Sequence, residues 1–267
     1  VSPLMLRRSI DEVAEDLPEK IIITQALNMS DAEIVLYEEL RQNIINQYGP
    51  SAPLVATVKL RIFCVHPSIL GDQLDQNFIL ETGKYLRLIE ILEEIVSKKQ
   101  KTILFTSFNA MSDLLNNHIP KKFGIPCNQI NGRTPVDERQ KIVDDFSEIS
   151  GSALLILNPR AAGAGINITA ANHVIHYNLE WNPAIEDQAT ARTYRLGQSL
   201  PVVVHRMFYT HTIEEVIDDV INRKRRLANA AVVGTEASSA ETSDIVRALA
   251  ISPATSDYKK IISEGVS

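Results

Sequence analysis

The chain has little with which to cross-link itself or to enter a membrane. Its two cysteines, Cys64 and Cys127, stand far apart with no C-x-x-C spacing, which excludes a disulfide framework and a thiolate zinc site. Both are expected as buried thiols. Its longest apolar runs, such as Ala153 to Leu157, fall far short of the ~18 residues of a transmembrane helix. No charged-then-apolar leader opens the sequence, so a soluble, intracellular protein is expected. A basic excess is missing as well: the net charge is -6, which argues against a uniformly basic nucleic-acid-binding surface. The acidity is unevenly spread. Residues 1–100 carry 10 basic and 15 acidic side chains, whereas residues 101–230 carry 14 and 13, so contacts with a polyanion are expected in the middle segment.

A phosphate-cradling P-loop is also absent. That motif needs G-x-x-x-x-G-K-[ST], but the chain's single Gly-Lys pair, Gly83-Lys84, precedes Tyr85 and lacks the upstream glycine. The pair reads as a helix start. Asp11-Glu12-Val13-Ala14 has the letters of a metal-binding acidic box, but it follows no buried strand and reads as a solvated helix turn.

What is present is ordinary globular composition, 45% apolar and 22% charged, with a clear order of elements. Ser30 and Glu33 form a capping box before a helix through Leu36, Leu40, Ile44 and Tyr48, which Gly49 stops. A second, mostly apolar helix runs from Ala56 to Val65 and ends near Pro67. From Gly83 a helix through Leu86, Ile89, Leu92 and Ile95 opens an alternating series. Short strands are expected at Thr102–Phe105, Cys127–Ile130, Ala153–Leu157, His173–Tyr177 and Val202–Phe208. Helices are expected between them: Asn109–His118, one capped at Thr134-Pro135 and running through Phe146, one beginning at Asn182-Pro183, and one capped by Thr212 with Glu215. Such alternation implies βαβ units, hence an α/β fold with a parallel sheet covered on both faces. The Ala-, Ser-, Gly- and Thr-rich stretch after Leu227, through Ser243, reads as a flexible linker, with Ile245–Ile251 as a short docking helix.

The strongest functional pattern is Gln188-x-x-x-Arg192-x-x-Arg195-x-Gly197-Gln198, placed on the helix that starts at Pro183. Its spacings of four and three set Gln188, Arg192 and Arg195 on one helical face. Together with Trp181-Asn182-Pro183 and Ala161-Ala162-Gly163-Ala164-Gly165-Ile166-Asn167, this block resembles motifs V and VI of the SWI/SNF-type ATPases of helicase superfamily two. The likeness runs in order from residue 6 to residue 227. It takes in Leu6-Arg7-Arg8, Leu17-Pro18 and Lys20 at an interlobe junction, Leu60-Arg61 and Cys64 to Pro67 in a helical segment, and Thr102 to Phe108 as motif IV. Gly132, Thr134, Arg139 and Gln140, then Thr212 to Glu215, continue it. The sequence departs from the family at Ala162-Gly163, where Gly-Gly is usual, at Pro159, where a hydroxyl residue is usual, and at Asn131, where Asp is common.

This resemblance implies a RecA-like lobe with a helical insertion and a C-terminal helical extension. Residues 1–82 would form the interlobe junction and insertion, 83–230 the lobe, and 231–267 the linker and extension. The chain would be the second motor lobe of an ATP-dependent double-stranded DNA translocase, with ATP and Mg²⁺ held mainly by a first lobe. Arg192 and Arg195 would be arginine fingers, with Gln188 orienting them or touching nucleotide; a bridge from Arg192 to Glu186 or Asp187 is the structural alternative. Gly163, Gly165 and Asn167 would face nucleotide, or the glycines would serve only a turn. Ser107, Thr134 and Arg160, on loops at the carboxyl edge of the sheet, would track DNA phosphates or act as caps. Trp181 would lie near DNA or in the core, and Arg223 to Arg226 would form a basic patch or a solvated helix end. The alternatives are a stand-alone nucleic-acid-binding module, which would not need both arginines, and an RNA helicase lobe, which would usually carry Arg where Gln198 stands.

Overall fold

The computed structural model describes residues 17–71, 82–161, 167–229 and 237–254. Among these, six strands form one wholly parallel sheet: β1 (Lys20–Leu27), β2 (Thr102–Phe105), β3 (Cys127–Ile130), β4 (Leu154–Leu157), β5 (His173–His176) and β6 (Val202–Tyr209), in the order β1-β6-β5-β2-β4-β3. The helices are α1 (Asp31–Tyr48), α2 (Ala52–Val65), α3 (Gly83–Ser97), α4 (Asn109–Phe123), α5 (Val136–Glu148), α6 (Pro183–Thr190), α7 (Ile213–Asn229) and α8 (Ala237–Ala250).

Every residue of β2, β4 and β5 is buried, as a parallel sheet covered on both faces requires. Alternate residues feed opposite cores. Ile103, Phe105, Leu155 and Leu157 join Val143 and Phe146 of α5. Leu104, Leu154 and Ile156 face Leu88 and Leu92 of α3 and Met111 and Leu115 of α4. A third cluster unites α1, α2 and α7 with the end of β6, through Tyr37, Leu60, Tyr209 and Ile217. The α/β expectation, with helices on both faces, holds, and so does the Ser30–Glu33 capping box.

Three local expectations need correction, and one strand carried no expectation. Lys20–Leu27 is a strand, although no alternation marks it: it is the sheet's edge, and Ile21, Ile22 and Ile23 are all substantially exposed. Leu86 lies off the buried stripe of α3, which runs through Tyr85, Leu88, Ile89, Leu92 and Ile95. Thr134 does not cap α5, whose first turn receives no side-chain cap. The supposed linker through Ser243 is helical from Ala237; alanine is the best helix former, and buried Asp244 and Ala248 seat α8 against its neighbours.

Beside Tyr209 of the third cluster and Tyr177 of the second lies a buried charged pair. Lys84 Nζ lies 2.5 Å from Glu214 Oε2, with the two side chains 1% and 3% exposed. Glu214 also accepts the Tyr209 N–H at 2.9 Å, and the Tyr209 hydroxyl donates to Glu33 at 2.6 Å. Gly83-Lys84 does begin a helix, and its lysine is a buried anchor that ties α3 to α7.

Candidate nucleotide and DNA interface

The carboxyl ends of β2, β4 and β5 carry loops that are tied together by asparagine side chains. Asn178 Oδ1 accepts from the Thr106 hydroxyl at 2.9 Å and from the Ser107 N–H at 3.1 Å. Asn158 Nδ2 donates to the Ser107 carbonyl at 3.3 Å, while its Oδ1 accepts the Arg160 N–H at 3.0 Å. Ser107 and Arg160 are thereby brought to one place, and the residue between them is one that sequence reasoning missed. Glu180, 4% exposed, accepts the Ser107 hydroxyl and lies 3.7 Å from an Arg160 nitrogen and 3.8 Å from Arg61 of α2. Arg61 also donates to the Leu179 carbonyl at 2.9 Å and lies over the Phe108 ring. A buried carboxylate persists because donors surround it. Its only sequence signal was an acidic residue immediately before Trp181.

Thr134 sits in the turn after β3. Its hydroxyl accepts the Asn131 N–H at 3.1 Å, its own N–H donates to the Asn131 carbonyl at 3.0 Å, and Asn131 Oδ1 accepts from Arg133 N at 2.9 Å. Asn131 thus does the turn-forming work that an Asp does elsewhere. Arg139 of α5 reaches back to the Thr134 carbonyl at 3.0 and 3.1 Å and across to the Ala161 carbonyl at 3.1 Å. That guanidinium fastens the Thr134 turn to the loop carrying Arg160.

The arginine block differs from its expected form. Asn182 caps α6 through Ala184 N at 3.0 Å, as expected, but α6 ends at Thr190, so Arg192 and Arg195 lie on turns beyond it and do not share a helical face with Gln188. Tertiary contacts hold these turns. The Arg192 carbonyl accepts the Ile168 N–H at 3.0 Å, and the buried Gln198 amide donates to the Ala171 and Thr169 carbonyls at 2.7 and 3.1 Å. Gly197, at φ 99°, turns the chain there. Arg195 is exposed and donates through Nη1 to Asn167 Oδ1 at 2.5 Å; Gln188 is exposed and Arg192 half-buried. Gly163 and Gly165 lie outside the described residues.

Buried ion pairs hold α6 against the sheet. Glu186 accepts from the Glu180 N–H at 3.2 Å and from Arg206 Nε at 3.0 Å, and Arg206 also bonds Asp218 at 2.9 Å. Glu186 and Asp187 both pair with Arg225. Arg223 pairs with Asp244, and Lys224 donates to the Trp181 carbonyl at 3.4 Å, so three of the four residues in the basic run make internal contacts. Trp181 is half-buried against the third cluster and lines a cavity of about 240 Å³ with Thr57, Val220, Lys224, Asp244 and Ile245. Beneath α6, His176 bonds the Thr190 hydroxyl at 2.9 Å and stacks on Phe105. Burial, then the nearby Arg206 and Arg225 charges, push its pKa down to about 3.

A wholly parallel sheet with helices on both faces, and a web of loops joined at its carboxyl edge, define the class: a RecA-like helicase lobe. Residues 83–197 match the helicase conserved C-terminal domain. The chain is 34% identical to the putative ATP-dependent helicase/translocase YwqA of Bacillus subtilis, over 85% of this chain and 26% of that protein. It is also 34% identical to the Zorya protein ZorD of Escherichia coli, over 88% of this chain and 23% of that one. The Sulfolobus solfataricus SWI2/SNF2 ATPase core in complex with dsDNA superimposes with a TM-score of 0.67 at 30% identity, over 91% of this chain and 54% of that one. The C-terminal domain of that ATPase gives 0.63 at 27% identity, over 85% and 98%. The chain belongs to the SWI/SNF-type ATPases as a C-terminal helicase lobe. It spans about a quarter of the length of the curated relatives it matches. Among the described residues, no helix is long and apolar enough to cross a membrane.

Proposed function

We propose that this chain is the second motor lobe of an ATP-dependent double-stranded DNA translocase. The observation that carries the reading is the connection between β4 and β5. Its first described end, through Asn158 and Arg160, joins the Ser107 and Glu180 web. Its last, through Asn167 and Ile168, meets Arg195 and Arg192. One loop therefore has an end at each candidate surface, which is what coupling of nucleotide state to DNA grip requires. The helicase lobe proper is read as residues 83–230, with junction and insertion in 1–82 and the extension in 231–267, although β1 extends the sheet into the first of these.

Arg192, Arg195 and Gln188 fit a polyphosphate, since guanidinium groups stay charged and present several donors to phosphate oxygens. ATP bound between lobes supplies the phosphoanhydride. Arg192 and Arg195 neutralise the charge that develops on the transferred phosphoryl oxygens, an effect of about 10³ to 10⁵ in rate. Asn167 steadies Arg195 from the side of the loop that also carries Gly163 and Gly165. Among the described residues no group of three His, Cys, Asp or Glu could hold a metal, and Mg²⁺ would be held mainly by the first lobe together with ATP. Ser107, Thr134, Arg160 and Trp181 define the DNA side, where backbone contacts give sequence-independent binding.

The test compares the 267-residue chain with the full-length protein. The chain alone should hydrolyse ATP at background, and the full-length protein should respond to duplex DNA more than to duplex RNA. DNA-stimulated turnover by the chain alone would overturn this division of labour.

A further inference from the structure

Glu180 gathers cationic and hydroxyl groups from three separate elements. Arg61 comes from the insertion helix α2, Ser107 from the loop after β2, and Arg160 from the loop after β4. The Glu180 side chain is 6% exposed, Arg61 18%, and Arg160 72%. The arginine a ligand meets first is thus the one most open to solvent. Ser107 has two donors, its N–H and its O–H. The first goes to Asn178 and the second to Glu180, so Ser107 ties its loop to the carboxylate and orients it.

We propose that Glu180 is a positioning residue that orients Arg160 and at the same time weakens its hold on a DNA phosphate. The inference rests on reading this edge as the DNA surface. A phosphate docked on Arg160 lies within one Debye length, roughly 8 Å, of the carboxylate, and the burial of Glu180 limits screening. The anion cancels part of the Arg61 and Arg160 field and repels the phosphate, so the backbone is held less tightly and leaves more readily. A lobe that tracks DNA needs both grip and release.

Glutamine separates the charge from the hydrogen bonds. Oε1 of Glu180 meets Ser107, Asn178 and Arg61, whereas Oε2 meets Arg160 at 3.7 Å. Glu180→Gln can keep its carbonyl on the first side and turn its amide toward Arg160, beyond hydrogen-bond distance. Duplex DNA should be titrated at several salt concentrations with the wild-type chain, Glu180→Gln and Arg160→Ala. The glutamine variant should bind roughly three- to tenfold tighter at low salt, with a salt slope steeper by up to about one charge. Arg160→Ala should make the slope shallower by about one phosphate contact. Loss of a purely structural contact would weaken binding, the opposite sign. Glu180→Ala covers the case in which glutamine disturbs the fold, and it too must tighten binding. Unchanged or weaker binding by folded Glu180 variants, with Arg160→Ala still shallower, would overturn this inference alone. No salt-dependent binding by the wild type, or an unaltered Arg160→Ala slope, would overturn the DNA surface itself.

Discussion

Arg195 donates to the side chain of Asn167 at 2.5 Å across 28 residues of sequence. The two belong to separate motif blocks and meet because the β4 to β5 connection returns beside the turn after α6. An exposed arginine held by one neutral amide is steadied but keeps its other donors for a ligand.

Arg195→Ala in the full-length protein should leave ATP binding nearly intact and lower DNA-stimulated turnover by at least ~10³, as for a group that acts in the transition state. Asn167→Ala should cost less, up to ~10², because it misplaces the guanidinium without removing it. Single-turnover hydrolysis and nucleotide-binding titrations separate the two effects. Equal losses of binding and turnover in Arg195→Ala would make it a ground-state contact.

The pair between Lys84 and Glu214 gives a stability prediction. Lys84→Met strands a carboxylate that is 3% exposed, which should cost about 3–5 kcal/mol. Glu214→Gln in the same chain removes the orphaned charge and still accepts the Tyr209 N–H, so the double variant should be markedly more stable than Lys84→Met. Urea unfolding measures both. A double variant no better than the single would mean that the pair's attraction, and not the stranded charge, dominates.

Three strand histidines make the fold acid-sensitive. Burial lowers the pKa of His173 and His205 to about 4 each, with the His205 and Lys98 charges adding at His173 and Arg87 at His205, and His176 falls to about 3. The unfolded chain, with histidine pKa near ~6.5, then binds more protons as pH falls. Their contribution is complete above about pH 6.5 and is lost progressively toward pH 4, at up to ~1.4 kcal/mol per pH unit for each histidine. Melting temperature should be nearly level above about pH 6.5 and drop from there to pH 5, and His205→Asn should flatten that drop. A pH-independent melting temperature would contradict the assignment.

Local chemistry made much of this lobe legible in its sequence. Buried strands such as Leu154–Leu157, the Ser30–Glu33 box and the Asn182 cap depend on neighbours a few residues away, so their spacing carries the information. The absence of a P-loop and the presence of the Arg192 and Arg195 block are equally readable. Tertiary structure decided the rest. Ile21–Ile23 shows no alternation because an edge strand is left open to solvent, and it becomes a strand by pairing with β6, some 180 residues away. Arg192 and Arg195 have helical spacing, yet the helix stops at Thr190, and the turns that follow are held by the segment before β5, where Ile168 donates to the Arg192 carbonyl. Glu180 is the clearest case. It looks like a surface acid beside a tryptophan, and it is buried because an insertion helix and two strand-end loops deliver Arg61, Ser107 and Arg160 to the same carboxylate.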